Sequence, residues 1–414
     1  MAPLPENRPH GVLTRRQFLW MAGGTVTIAA AGPLLAACAG AASPSPSLAP
    51  SAAPSLAPSA AACPAPIPLS GAVGGALNLF EWEGYDGKGV AAWDKWYKDN
   101  GIDLTVKYVT DQSNPTALMR SPTGKEFDVF SFNQGDVLTG WGQGDLMTPI
   151  SVDEVPALAK MYPYFHDHEF FRVCPDKNVF PVVPWQWGPL GLVVRSDKVP
   201  AEALASWEGL LDPKFKGRII AYDDALNVVS QGACATGNDP GKLTREQLNG
   251  PVKEFWKKLF PQLKAAVTST GDQANLLASG DAWISMLGWA YNISQLNSQG
   301  IASKMIIPDE GTYGYIETMA IPPWSKNRRN AIAWANAQME GDTAVAMCES
   351  SYGMSTNPAV NAKVGGEVRK IFPEDLEAFV ATGLKFNRNW SDPDGPYATA
   401  EEWTTFWNEI KTGV

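Results

Sequence analysis

From about residue 74 onward, short apolar runs that read as strands alternate with segments that read as helices. ALNLFEW at 76–82, IDLTVKYVT at 102–110, FDVFSFN at 127–133, GPLGLVVRS at 188–196, GRIIAYDD at 217–224 and AWISMLGW at 282–289 are strand-like. NPTALMR, DVLTGWGQ, ALNVVSQGACA and DQANLLASGD read as helices, and longer helices are expected over about 327–351 and 398–411. SKMIIPDEG and GYIETMAIP add two extended stretches between them. This rhythm predicts an α/β fold with mostly parallel sheets covered by helices. With 414 residues the chain exceeds one typical domain, so two α/β lobes are expected.

The segment before this rhythm has a different character. Thr14-Arg15-Arg16-Gln17-Phe18-Leu19 reads as a twin-arginine export signal, followed by an apolar stretch and Leu35-Ala36-Ala37-Cys38. Small residues before a cysteine match the processing box of a bacterial lipoprotein, which makes Cys38 the expected lipid site. A membrane-spanning anchor over 18–37 is the alternative, but Gly23, Gly24, Gly32 and Pro33 dilute that stretch. Residues 38–73 are rich in Ala, Ser and Pro, with SLAPSAAP at 47–54 echoed by SLAPSAAA at 55–62. Such a composition buries no core and reads as an extended tether. Export plus tether places the folded part outside the cytoplasmic membrane.

A formal net charge of −10 argues against nucleic acid as a partner, since phosphate binding needs a basic face. Apart from Cys38, the cysteines are Cys63, Cys174, Cys234 and Cys348; they show no zinc-ligand spacing, and any disulfide pairing stays open. His166-Asp167-His168-Glu169 could suggest a metal site. In an extended stretch, however, Asp167 points away from the two histidines, and the third histidine, His10, lies in the leader. A solvated acidic loop is expected there, with no metal and no cofactor. No phosphate-binding glycine loop and no GxSxG elbow is present. Carboxylate pairs alone leave a secreted glycosidase as the enzyme alternative.

Ligands of α/β sheets bind at the carboxyl ends of strands. Aromatic and acidic residues stand there repeatedly: Trp82, Glu83 and Tyr85 in FEWEGY, Asn133, Asp224, and Trp289. Tyr315 and Glu317 lie inside a strand-like stretch that is expected to cross between lobes. Carboxylates give charge-assisted hydrogen bonds to an ammonium, and aromatic faces give cation–π attraction while covering methylenes. The combination suits a small organic cation. Asp224 also stands where it would cap the helix beginning ALNVV. By strand alternation Glu81 faces away from Trp82, and a structural ion pair is expected for it. Trp185 and Trp187 are expected to pack at a lobe crossing.

FEWEGY, FDVFSFNQGDV, PWQWGPLGLVV, SWEGLLDPKFKGRIIAYDDALNV, SMLGWAYN, YIETMAIPPWS and SSYGMSTNPAVN, in this order, resemble the extracellular solute-binding proteins of ABC importers. The likeness is to the spermidine/putrescine-binding branch and covers roughly residues 76–413. It implies the type II periplasmic-binding-protein fold, two hinged α/β lobes: here 74–189 with 313–361, and 190–312 with 362–414. It implies a monomeric, non-catalytic protein that closes on a polyamine and delivers it to a permease whose ATPase subunit powers uptake. Ligand positions implied by the family fall on Trp82, Tyr85, Asp224, Trp289, Tyr315, Glu317 and Tyr352. Asn227 replaces a glutamate of the polyamine binders, Asn133 a small hydroxyl residue, Gly135 a tyrosine, and Glu83 a hydroxyl residue. One carboxylate is lost and another gained, so a cation gripped with different geometry is expected. An opine, a modified amino acid or a sugar is the alternative cargo.

Overall fold

The computed structural model describes residues 63–109, 115–389 and 392–413. The export signal, Cys38 and most of the tether lie outside the described residues.

The first sheet grows from three parallel strands, β1 (Gly75–Glu81), β2 (Ile102–Tyr108) and β3 (Val129–Asn133), with β1 in the middle. β1 is exposed at its start and fully buried from Leu79 to Glu81, so its far end is the one that packs. A small pair, β4 (Ile150–Ser151) and β5 (Val179–Phe180), precedes β6 (Val183–Pro189) and β7 (Gly191–Arg195). The second sheet contains β7, β8 (Ile219–Tyr222), β9 (Leu263–Val267), β10 (Ile284–Gly288) and β11 (Ser303–Ile306), ordered β11-β7-β10-β8-β9. The chain then returns through β12 (Thr312–Ala320) to the first sheet, which also takes β13 (Met354–Ser355) and β14 (Leu384–Phe386).

The stretch read as one strand at 188–196 is thus the crossing itself. β6 ends in the first sheet, Leu190 intervenes, and β7 begins the second. The second crossing lies alongside the first: Leu190 N–H donates to Tyr313 O at 2.9 Å, and Thr312 Oγ1 donates to Leu190 O at 2.6 Å. Both crossings are made without an intervening helix. A parallel neighbour needs a crossover connection, and β12 accordingly enters antiparallel to β3 and β6, as β7 does to β10 and β11. The two-sheet α/β expectation holds, but both sheets are mixed rather than mostly parallel.

Each sheet carries its own apolar core. One is built on β1, β3, β6 and the helices Arg328–Met339 and Gly341–Ser351; the other is built on β7, β8, β10, the helix Ala225–Ala235 and the C-terminal helix Ala400–Thr412. The helix expected over 327–351 is two helices, broken at Gly341, whose φ of +77° a side-chain-bearing residue would adopt only under strain. Val364, Val368, Phe372, Leu376, Val380 and Leu384 pack into the first core, although residues 362–414 were expected with the second lobe. Their spacing of four marks a buried face and is silent on which core buries it.

Cys63 is disulfide-bonded to Cys174 with a Cα–Cα distance of 5.3 Å, which ties the start of the described chain to the loop before β5. Cys234 and Cys348 are buried free thiols, pushed up to about 12 by burial. No helix of the described residues is long and apolar enough to cross a membrane.

Candidate functional site

The exits of β1 and β3 and the crossing strand β12 bring the acids together. β3 lies between β1 and β12: Phe80 is opposite Phe130, and Glu317 is opposite Asn133. Glu81, one residue beyond Phe80, therefore falls beside Ser131. Alternation then puts Glu81, Ser131, Asn133 and Glu317 on one face of the sheet.

Glu317 is 8% exposed, and its Oε1 accepts from the Tyr85 hydroxyl at 3.5 Å. Its Oε2 has no hydrogen-bond partner among the described residues. Burial, reinforced by the nearby Glu81 charge and only partly offset by Tyr85, pushes the carboxyl up to about 8. Glu81 is fully buried, and its Oε1 accepts from the Trp82 N–H at 2.9 Å while Oε2 is unpartnered. Burial raises it to about 8, against the Trp82 N–H and the Ser131 hydroxyl and with Asp86 adding to the rise. The expected ion pair for Glu81 is absent: no lysine, arginine or histidine of the described residues pairs with either acid. A buried carboxylate without a cation is expensive, so it takes a proton instead.

Aromatic side chains wall this pair. Tyr85, half-buried in the turn after β1, meets Trp185 edge-on with ring centroids 5.2 Å apart. Trp185 sits where two residues of β6 oppose one step of β12, between the pairs Gln186–Glu317 and Pro184–Thr318. Such a bulge re-aims a side chain, which no periodic reading of the sequence detects. Tyr315 lies against the backbone of its opposite residue, Gly188, where a Cβ would come within 2.7 Å of the phenol oxygen. Burial and the Glu317 charge hold the Tyr315 phenol above its ordinary range. Burial, then Glu317, does the same to Tyr85.

A cavity of about 220 Å³ opens beside Asn133, the opposite residue of Glu317, and is lined from both halves. Asn133, Gly135 and Asp136 come from the first, and Asp224 and Leu226 from the start of the helix Ala225–Ala235. Asn387 and Asn389 close it. Gln134 Nε2 donates to Asn387 Oδ1 at 3.0 Å, and Asn387 Nδ2 donates to Ser230 Oγ at 3.2 Å, so Asn387 bridges the halves. Asn389 donates to Asp136 at 2.8 Å, which opposes the rise that burial imposes on that acid. Sequence reasoning missed Asp136, Asn387 and Asn389; the two asparagines reach the cavity only through the return of β14 to the first sheet.

The remaining expected residues divide. Asp224 caps its helix by accepting from Asn227 N–H at 2.9 Å, and it also lines the cavity. Asn227 is tied up structurally, donating to Asp224 at 2.8 Å and accepting from the Tyr313 hydroxyl at 2.8 Å. Asp223, next to Asp224 in the chain, is held by Trp407 at 2.6 Å and Lys411 at 2.9 Å. Trp82 is half-buried in the turn, and Glu83 beside it is exposed. Trp289 opens the helix Ala290–Ser298 and meets Tyr222 edge-on at 6.3 Å. Tyr352 reaches across from the first half to that same helix, accepting from Ser294 Oγ at 2.6 Å. Trp187 is core, donating to Ser355 O.

In the HDHE stretch the acids Asp167 and Glu169 are exposed as expected, whereas the two histidines are partly buried. His168 packs against Phe170 and Phe386, and burial lowers it to about 4. Among the described residues no group of three potential metal ligands assembles.

The model of bacterial extracellular solute-binding proteins matches residues 91–407. The spermidine/putrescine-binding periplasmic protein of Escherichia coli is 23% identical over 81% of this chain and 92% of that protein. Among solved structures, the spermidine/putrescine ABC transporter substrate-binding protein PotD of Streptococcus pneumoniae superposes with a TM-score of 0.66. It has 18% identity and covers 82% of this chain and 98% of that one. The TpPotD lipoprotein of Treponema pallidum gives 0.64 at 19% identity, covering 81% and 99%. These structures share the fold described above. The chain belongs to the bacterial extracellular solute-binding proteins.

Proposed function

We propose that this protein captures a small organic cation of the polyamine type between its two sheets and delivers it to an ABC permease. The observation that carries this reading is Glu317: a buried carboxyl with one unpartnered oxygen, no cation beside it among the described residues, and Tyr85 and Tyr315 against it. A ligand ammonium supplies the missing charge, and the rings supply cation–π attraction of about 0.5–2 kcal/mol each. Asp224, which lines the cavity beside Asn133, is the acid proposed to meet a second amine. The names of the relatives and neighbours support the same ligand class.

The protein works by binding alone, without catalysis or cofactor. It acts as a monomer held at the outer face of the membrane through lipid on Cys38, with the Ala/Ser/Pro segment as tether. A thermal-shift panel of putrescine, spermidine, amino acids, opines and sugars tests the ligand class. Putrescine or spermidine is expected to raise the melting temperature, by the linkage of binding to folding. A rise with neutral sugars alone would leave an importer of another cargo.

A further inference from the structure

Asp136 is the acid of the cavity that the fold leaves without a task. It stands directly before the helix Val137–Gly142, where an aspartate usually caps, yet its side chain makes no cap bond. No lysine, arginine or histidine of the described residues pairs with it. Its contact is Asn389, whose Nδ2 donates to Asp136 Oδ1 at 2.8 Å, while Oδ2 has no hydrogen-bond partner among the described residues. Packing fixes that contact. Gly135 lies against the segment 387–389, where an added Cβ would come within 3.5 Å of Asn387 O and Asn389 N. The same segment follows β14 of the first sheet, and by Ala398, which donates to Leu243 O at 2.8 Å, the chain has reached the second core. Asn389 therefore holds Asp136 from a further crossing between the halves. The cavity is lined by acids and amides: Asp136, Asp224 and three asparagines, with Gly135, Leu226 and no base. Arg388 does not line it; it pairs with Glu169 at 3.2 Å and lies over the Phe170 ring. Asp224 accepts through Oδ1, and its Oδ2 is likewise without a partner among the described residues. Glu317 lies outside this lining, so it leaves the charge of the cavity unanswered.

We propose that Asp136 is a specificity-determining residue for the cargo: Asp136 and Asp224 together receive the ammonium that enters the cavity, one acid from each half. This rests on the cleft being a cation site. A primary ammonium has three donors and no acceptor, enough for both carboxylates and an asparagine carbonyl. Bonds to ionised acceptors are the strong ones, so the charge on Asp136 matters more than its shape. Asn389 fixes Asp136, and the helix cap fixes Asp224. Neither acid follows the ligand, so the distance from this cavity to Glu317 selects the chain length of the diamine.

The test is calorimetric titration of 1,3-diaminopropane, putrescine, 1,5-diaminopentane and spermidine into wild type, Asp136→Asn and Asp136→Glu. Asp136→Asn keeps an oxygen for Asn389 and removes the charge. It is expected to bind putrescine and spermidine at least about tenfold more weakly, as for a lost charge-assisted bond. Asp136→Glu carries the carboxylate one methylene further into the cavity. The affinity of 1,3-diaminopropane relative to putrescine is then expected to rise at least about threefold over the wild-type ratio, since a methylene is what the site reads. An acid that only supports the loop would weaken all diamines alike. Wild-type affinity in a folded Asp136→Asn protein, or equal losses across the three diamines in Asp136→Glu, would overturn the inference and leave the cation site standing. Failure of wild type to bind any of the four amines would sink the cation reading, and this inference with it.

Discussion

The Tyr352 hydroxyl accepts a 2.6 Å hydrogen bond from Ser294 Oγ, linking the end of the helix Gly341–Ser351 to the helix Ala290–Ser298 of the other half. Tyr352 is the sole non-glycine among the described residues with positive φ, at +59°. A bulky residue held there stores about 1–3 kcal/mol of strain, which a surrounding contact must hold in place. The pair clasps the two halves together, with Tyr291 beside Tyr352 at a ring separation of 6.2 Å.

Tyr352→Phe keeps the ring and deletes the bond. A net hydrogen bond contributes about 0.5–1.5 kcal/mol, so ligand release should accelerate by roughly 2- to 12-fold. Stopped-flow dissociation measures it. A rate equal to wild type would remove the clasp from the account.

Glu317→Gln removes the charge proposed to receive the ammonium while keeping the Tyr85 contact. Affinity for putrescine should fall by about 1.5–3 kcal/mol, the range for a hydrogen bond to a charged group. Titration calorimetry reads it directly, and unchanged affinity would take Glu317 out of the site.

The two raised carboxyls give the ligand-free protein a pH dependence of definite sign. Glu81 and Glu317 titrate at about 8 when folded, against 4.5 ordinarily, with burial as the main cause. The folded form therefore holds protons that the unfolded chain has released across that window. Stability is highest below the lower value and declines as pH rises towards 8. The melting temperature without ligand should fall from acid to mildly alkaline pH, with a shallower slope in Glu317→Gln. Putrescine affinity should change in the opposite direction, strengthening over the same range while the amines stay protonated. A melting temperature that climbs towards pH 8 in proportion in wild type and variant would contradict this.

The Cys63–Cys174 bond closes a loop of 111 residues. Losing such a bond typically costs about 2–5 kcal/mol. Cys174→Ser should melt well below wild type under non-reducing conditions, and reductant should lower wild type alone. Equal melting of the two proteins would show that the bond does not constrain the folded chain in solution.

Much of the fold is legible in the chain because strand and helix alternation is a local signal; the helix over ALNVVSQGACA lies where the sequence puts it, at Ala225–Ala235. Pairing direction is not local. The end of β6 and all of β7 read as one run over 188–196 because a direct crossing has no composition of its own, and the return of Leu384–Phe386 to the first sheet depends on β12, about seventy residues earlier. At the site, Glu317 stands out as an acid inside an apolar strand. Glu81 stands out equally, but alternation alone assigns it a face without saying what lies on that face. Asn227 looks like a ligand residue in sequence because side-chain chemistry is visible there, whereas its commitment to Asp224 and Tyr313 is visible only in three dimensions.

The most direct test compares putrescine with butane-1,4-diol, which matches its carbon chain and carries no charge, in calorimetric titrations against the wild-type protein. Saturable one-to-one binding of the diamine and no heat from the diol is the result expected of acids and rings gathered around a cation. Comparable binding of the two, or binding of the diol alone, would contradict it.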